Sequence, residues 1–251
     1  METMLAMNDA QIPFADPRAL RCVEEVMKAM QPDVVVYLGD MMDFPGLSTK
    51  FRRLPEQRYG LKHELKIGQE VLDNHRMLVP SARMVYIEGN HEARLRNYVV
   101  DLADELDVFT DDAGVLSLPK LLGLEKLGIE YVGPYGAAWE YHSFIFKHGE
   151  RAVQNTSVAE LRAEGTSGMS AHTHRGGSTF NTNRSGAHVW YENFCLCHIR
   201  GWKQPPRSVG SELPNWQQGM SIIYFHAGIF NVYPVVITDG KCIFEGKVYG
   251  D

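Results

Sequence analysis

Residues able to bind cations stand repeatedly just behind short apolar runs in this chain. Asp9 follows the first strand candidate, and Gly39-Asp40-Met41-Met42-Asp43 follows Val34-Val35-Val36-Tyr37-Leu38. Gly89-Asn90-His91-Glu92 follows Met84-Val85-Tyr86-Ile87, and Lys147-His148-Gly149 closes Phe144-Ile145-Phe146. Ala171-His172-Thr173-His174-Arg175 follows the short segment around Met169. In open α/β sheets the carboxyl ends of the strands line the ligand crevice, so five such sequels can converge. Taken singly they are weak: a GDxxD is often a loop closed by an Asx-turn, and GNH is often a plain turn. His-x-His is stronger, because alternate residues of an extended segment point the same way and can share a metal. In this order, chance is a poor explanation.

The elements that must position these residues alternate in period. Asp16-Pro17 reads as an N-cap with proline at the first helical position. Leu20, Val23, Met27 and Met30 follow at helical spacing, and Gln31-Pro32 ends the helix. Residues 34–38 and 84–87 read as strands buried on both faces. Leu61 to Leu78 is again helical, and Leu95, Tyr98, Val99, Leu102 and Leu106 mark a further helix. The opening Met1 to Met7 reads as an edge leading into a first strand. After Tyr141 strands dominate: Ser221 to Phe225, Val232 to Thr238 and Cys242 to Val248, with turn signals such as Asp239-Gly240 between them. The expected fold class is α/β, a four-layer α-β-β-α sandwich of two mixed sheets with flanking helices, in one domain over 1–251. Residues 44–60 form a basic insertion near the metal-type residues.

Composition narrows the classes. Hydrophobic residues at 44% and charged residues at 22% are ordinary for a globular chain. No apolar run approaches a membrane span, and the N-terminus lacks the pattern of a signal peptide. Four cysteines without framework spacing predict reduced thiols and a cytoplasmic setting, the host cytoplasm for a virus-encoded chain. A net charge of −6 argues against a broad duplex-binding face. It leaves small phosphorylated substrates open, since bound cations dominate the charge of their own site.

The order of motifs resembles the calcineurin-like metallophosphoesterases: D-x-H, GDxxD, GNH-[DE], a late H-G and GHTH, over residues 9 to 175. The segment Asn215-Trp216-Gln217-Gln218-Gly219 is similar to short phage- and prophage-type members. The resemblance implies a dinuclear site. Asp9 and His174 would hold one metal, Asp40 would bridge, and Asn90, His148 and His172 would hold the second. His91 would be the catalytic histidine rather than a ligand, with Asp43 and Glu92 supporting. Two divalent ions are implied, manganese foremost, with iron, zinc, nickel or magnesium as alternatives. A carboxylate can bridge cations about 3.5–4 Å apart, and the pair can activate a hydroxide between them for in-line attack on phosphorus. Imidazole changes charge near neutral pH, so His91 could protonate the leaving oxygen. Gln11 departs from the pattern, standing where the family has a histidine. Its neutral carbonyl is a weaker donor, which predicts a more labile first metal; alternatively Gln11 ligates adequately or hydrogen-bonds a metal-bound water.

The implied reaction is hydrolysis of a phosphodiester or phosphomonoester, with a nucleotide, cyclic nucleotide or nucleic-acid end as target. A nuclease on chains, a protein Ser/Thr phosphatase and a metal-binding interaction module are the alternatives; oligomeric state is not readable. Arg52 and Arg53, with Lys50, Arg58, Lys62 and Lys66, form either a phosphate-recruiting loop or a solvated basic surface. Arg94 and Arg175 could each grip a phosphate oxygen, and Arg94 could equally pair with an acid. Trp139, Tyr141, Trp190 and Trp202 could stack on a base, although Trp190 reads better as core. Cys195-Leu196-Cys197-His198 offers two thiols and an imidazole for zinc, but with no fourth partner nearby it reads as small buried hydrophobes.

Overall fold

The computed structural model describes residues 1–48, 60–111, 114–200 and 214–250. In the first sheet β1 (Glu2–Met7), β2 (Val34–Tyr37), β3 (Arg83–Ile87) and β4 (Ile129–Val132) run parallel. β10 (Gln218–His226) and β11 (Ile229–Ile237) extend it antiparallel, giving the order β11-β10-β1-β2-β3-β4. The second sheet holds β5 (Ala138–Tyr141), β6 (Phe144–Lys147), β7 (Gly168–Ser170), β8 (Gly176–Asn183) and β9 (Gly186–Asn193) in the order β5-β6-β7-β9-β8. Its centre, β6-β7-β9, is parallel.

Alternation along the strands sorts the layers. In β1, Leu5 and Met7 join the core under α1 (Pro17–Met30) and α2 (Leu61–Leu78), whereas Met4 and Ala6 face the second sheet. Between the sheets Val34, Val36, Val85 and Ile87 meet Phe144, Phe146, Met169 and Tyr191. The short α4 (Leu118–Leu122) adds Leu118 and Leu122 to the core under α1 and α2, and on the far side α5 (Thr156–Glu164) lays Leu161 against Ile145 and Trp190. The result is the four-layer sandwich of two mixed sheets with flanking helices.

The N-cap reading of α1 holds: the Asp16 carboxylate accepts the Arg18 N–H at 3.0 Å, and Pro17 opens the helix. Its buried face is centred on Ala19, Cys22, Val23, Val26 and Met27, with Leu20 and Met30 at its margins. Elsewhere the structure corrects the expectations. Residues 2–7 are no edge leading inward but a central strand between β10 and β2. The helix expected through Leu106 ends at Leu102 as α3 (Arg94–Leu102); a 3-10 turn over Asp104–Phe109 follows, and Leu102 and Leu106 are exposed. Residues 242–248 are a hairpin, β12 (Cys242–Phe244) and β13 (Lys247–Tyr249), turned at Glu245-Gly246. The insertion after Asp43 begins with core: Phe44 is fully buried. It continues as a 3-10 turn over Pro45–Leu47, while Lys50, Arg52, Arg53 and Arg58 lie outside the described residues, as does Trp202.

Trp190 is fully buried, and its indole Nε1–H donates to Ser170 Oγ at 3.0 Å. Trp190→Ala therefore leaves both a cavity and an unmatched hydroxyl between α5 and the second sheet. It is expected to lower stability by about 3–5 kcal/mol, read as a shift of the urea midpoint.

Candidate metal centre

Every motif residue leaves a strand at its carboxyl end. Asp9 and Gln11 follow β1, Asp40 follows β2, Asn90 and His91 follow β3, His148 follows β6, and His172 and His174 follow β7. Both sheets thus contribute to one edge of the sandwich. Several of these residues sit at positive φ: Asp9 at 49°, Gln11 at 49°, Asp40 at 50°, His172 at 69° and His174 at 59°. Such conformations are costly for non-glycine residues and persist where surrounding contacts over-determine them.

Glu92 supplies much of that determination. Its buried carboxylate accepts Asp40 N at 2.9 Å, Gly89 N at 3.1 Å and Met42 N at 3.0 Å, and the Tyr86 hydroxyl at 2.7 Å. One side chain thereby ties the loops after β2 and β3 together. Gly39 and Gly89 permit the approach. A Cβ on Gly39 would stand 2.7 Å from the Gly89 backbone and 2.8 Å from His148 Nδ1. Burial, and then the charge of Asp40, push the Glu92 carboxyl up to about 8 against the lowering effect of its donors.

Two clusters of donor atoms result. In one, His174 Nε2 lies 3.0 Å from Asp9 Oδ1 and 3.0 Å from Gln11 Nε2. In the other, His148 Nε2 lies 3.0 Å from Asn90 Oδ1 and 3.4 Å from Asp40 Oδ2, with the His172 ring 5.2 Å away between centroids. One ligand atom from each of Asp40, His148 and His172 falls within 4.8 Å of the others. The ring of His148 is fixed by its Nδ1, which donates to Leu38 O at 2.7 Å. Asp9 Oδ2 accepts from Asn8 Nδ2 at 2.6 Å and from the His172 backbone N–H at 3.1 Å.

The electrostatics match a cation site. Burial alone would lower the His148 imidazole, but the charges of Asp40, Asp9 and Glu92 hold it up at about 9. Burial likewise opposes His174, and Asp9 holds it at about 10. Burial and the charge of His148 drop His172 to about 4. Asp40, despite complete burial, is kept well below the usual carboxylate range by His148 and His91. The Nε2 of His148 thus stands between two oxygens that a cation would need, Asn90 Oδ1 and Asp40 Oδ2. Gln11 Oε1 is buried and has no hydrogen-bond partner among the described residues. A half-turn of that amide places the oxygen where its nitrogen meets His174. The donor set is carboxylate, amide carbonyl and imidazole, suited to divalent first-row ions, so the residues present fit a metal pair.

His91 is placed differently. Its Nδ1 lies 2.6 Å from Asp43 Oδ1, its backbone N–H donates to Asp40 Oδ1 at 2.8 Å, and its Nε2 stays 3.6 Å from Asp40 Oδ2. It lines a cavity of about 280 Å³ together with Gln11, Asp40, His172, His174 and Arg175. Asn215 and Trp216 complete the rim, and the Trp216 ring centroid is 4.2 Å from that of His174.

The arginines are less free than the sequence suggests. Arg94 turns inward, donating to Asp43 O at 2.5 Å beside the Asp43 carboxylate at 3.4 Å. Arg175 reaches the cavity wall, but its guanidinium donates to Val153 O, Thr156 Oγ1 and Glu192 Oε2. Arg52 and Arg53 are outside the described residues. Sequence reasoning missed Asn8, whose only signal is a polar residue beside Asp9. It also passed over Trp216 as a lining residue, because a rim loop carries no periodicity.

Replacing Glu92 by Gln puts an amide N–H₂ against backbone donors. Glu92→Gln is expected to lower stability by about 1–3 kcal/mol, measured by denaturant unfolding. A variant as stable as the parent would contradict the clamp.

No protein-family model matches the chain. The gene 54 protein of Mycobacterium phage D29 is 26% identical over 265 residues, covering 98% of this chain and 98% of its own. The gene 54 protein of Mycobacterium phage L5 is 25% identical over the same span and coverage. Among solved structures, Chaetomium thermophilum Vps29 aligns over 100% of this chain and 99% of its own at 11% identity, with a TM-score of 0.50. That likeness is one of fold.

Proposed function

We propose that the chain is a metal-dependent phosphoesterase acting on a nucleotide, cyclic nucleotide or nucleic-acid end. The observation that carries this reading is the meeting of Asp9, Gln11, Asp40, Asn90, His148, His172 and His174 at one edge of the sandwich, with His91 facing the same cavity. In it Asp9, Gln11 and His174 would hold one divalent ion and Asn90, His148 and His172 the other, with Asp40 standing beside both groups. When bound, the ions supply Lewis-acid charge that polarises the phosphate and acidifies water. The chain's own groups do the rest. His91 would pass a proton from Nε2 to the leaving oxygen, and Asp43 Oδ1, 2.6 Å from Nδ1, fixes the ring. Glu92 keeps the Asp40 and Asn90 loops in register. Trp216 offers an aromatic surface at the cavity, suited to a base, and the cavity of about 280 Å³ has room for a phosphate group.

A chromogenic phosphodiester with added Mn²⁺ tests the reaction class, and a panel of mononucleotides, cyclic nucleotides, nucleic acids and phosphopeptides tests the substrate. His91→Ala is expected to lower turnover by about 10²–10⁴-fold, most for poor leaving groups, with metal stoichiometry unchanged. Asp40→Asn is expected to lose both ions together. Absence of turnover with Mn²⁺, Mg²⁺, Ni²⁺ and Zn²⁺ alike would sink the enzyme and favour a metal-binding interaction module.

Gln11→His supplies an imidazole to the weaker half of the centre. It should raise affinity for that ion by about 10–100-fold, seen as ions retained after chelator dialysis by elemental analysis. Equal retention in both proteins would assign Gln11 no part in binding.

A further inference from the structure

His174 has a second side. While its Nε2 faces Asp9 and Gln11, its Nδ1 faces Cys197 Sγ at 3.7 Å. One ligand atom from each of His174, Cys195 and Cys197 lies within 4.8 Å of the other two, and all three residues are buried. The two thiols come to the same side because residues two apart on extended backbone point alike. Local bridges fix that backbone, Cys195 pairing with Gln218 and Cys197 with Ala15. A main-chain carbonyl, Gln217 O, lies 3.4 Å from Cys195 Sγ. The histidine next to the pair in sequence, His198, is not the partner; it stands 3.6 Å from the Asp16 carboxylate.

We propose that His174, Cys195 and Cys197 form a second, thiolate cation site directly behind the carboxylate centre, selective for a soft ion of the zinc or cadmium class. Two sulfurs and an imidazole nitrogen are the ligand types such ions prefer, whereas magnesium and manganese prefer oxygen. The chain would then sort ions by softness across one imidazole ring: oxygen-rich donors on the Nε2 side, sulfur on the Nδ1 side. Both Sγ atoms give up a proton when the ion binds, as does the His174 ring nitrogen that ligates, and filling both sides at once leaves the ring as an imidazolate, so occupancy releases protons and rises with pH. Full burial of both cysteines keeps the site from bulk solvent and from larger thiol reagents. The remaining cysteines, Cys22 and Cys242, are also buried, but no histidine or carboxylate completes a three-ligand group with them among the described residues. This site shares His174 with the carboxylate centre without depending on that centre's hydrolytic role.

Titrating the reduced full-length chain with Co²⁺ provides the test, because cobalt bound to thiolate gives a sulfur-to-metal charge-transfer band in the near ultraviolet and cobalt bound to oxygen and nitrogen does not. The band is expected in the parent, in Cys22→Ser and in Asp40→Asn. It should vanish in the double variant Cys195→Ser with Cys197→Ser, which binds one cobalt fewer per chain. Should that double variant not fold, cadmium NMR of the parent reports the number of sulfur ligands directly, with two expected. A parent without the band, a band that survives the double variant, or a band lost in Cys22→Ser would overturn the site. Because Asp40→Asn keeps the band, failure of the phosphoesterase reading and failure of this one give different results.

Discussion

Four carboxylates, those of Asp9, Asp40, Asp43 and Glu92, are buried within a few residues of the strand ends that carry them. Burying even one unpaired charge is expensive, and a group of four is tolerated only with matching positive charge or many donors. The arrangement answers this in two ways. Glu92 is surrounded by backbone N–H groups and a hydroxyl, and Asp9 and Asp40 are set against imidazoles whose protons they retain. Everything else at this edge of the sandwich follows from that need: the glycines that let two loops touch, the positive-φ residues, and the histidine fixed by Leu38 O.

Parallel strands make such crowding possible. Their carboxyl ends lie side by side, so residues distant in sequence meet without long excursions of the chain. The hydrophobic side of the same strands is ordinary. Alternating residues of β1 fill two cores, one beneath α1 and α2 and one between the sheets. At their carboxyl ends β1, β2 and β3 stay apolar to the last residues, and the polar motifs begin just beyond.

Much of this was legible in the residues themselves. Runs such as Val34 to Tyr37 and Met84 to Ile87 are apolar throughout because both faces are covered, and each is followed by its polar motif. The illegible parts have physical reasons. α5 buries Thr156, Ser157 and Glu160 beside Leu161, and Glu160 is neutralised by Lys147 at 2.8 Å and Arg151 at 3.0 Å, so no apolar stripe marks it. α3 shows a helical stripe beyond its end because Leu102 and Leu106 are apolar yet exposed. The guanidinium of Arg94 was open between substrate and acid in the sequence; only tertiary contact assigns it to Asp43. The partner of the Cys195 and Cys197 thiols was invisible because it lies in the His-Thr-His segment, with β8 and β9 standing between it and them in the chain.

The donors gathered at this edge come from different sheets. Asp9, Asp40 and Asn90 extend from the first, and His148, His172 and His174 from the second. Ions held among them would act as rivets across the seam, resisting shear of one layer over the other. Cation binding and the cohesion of the sandwich would then be linked: loosening the interface of Phe144, Phe146 and Val85 would weaken the grip on cations, and stripping the cations would loosen the interface in return.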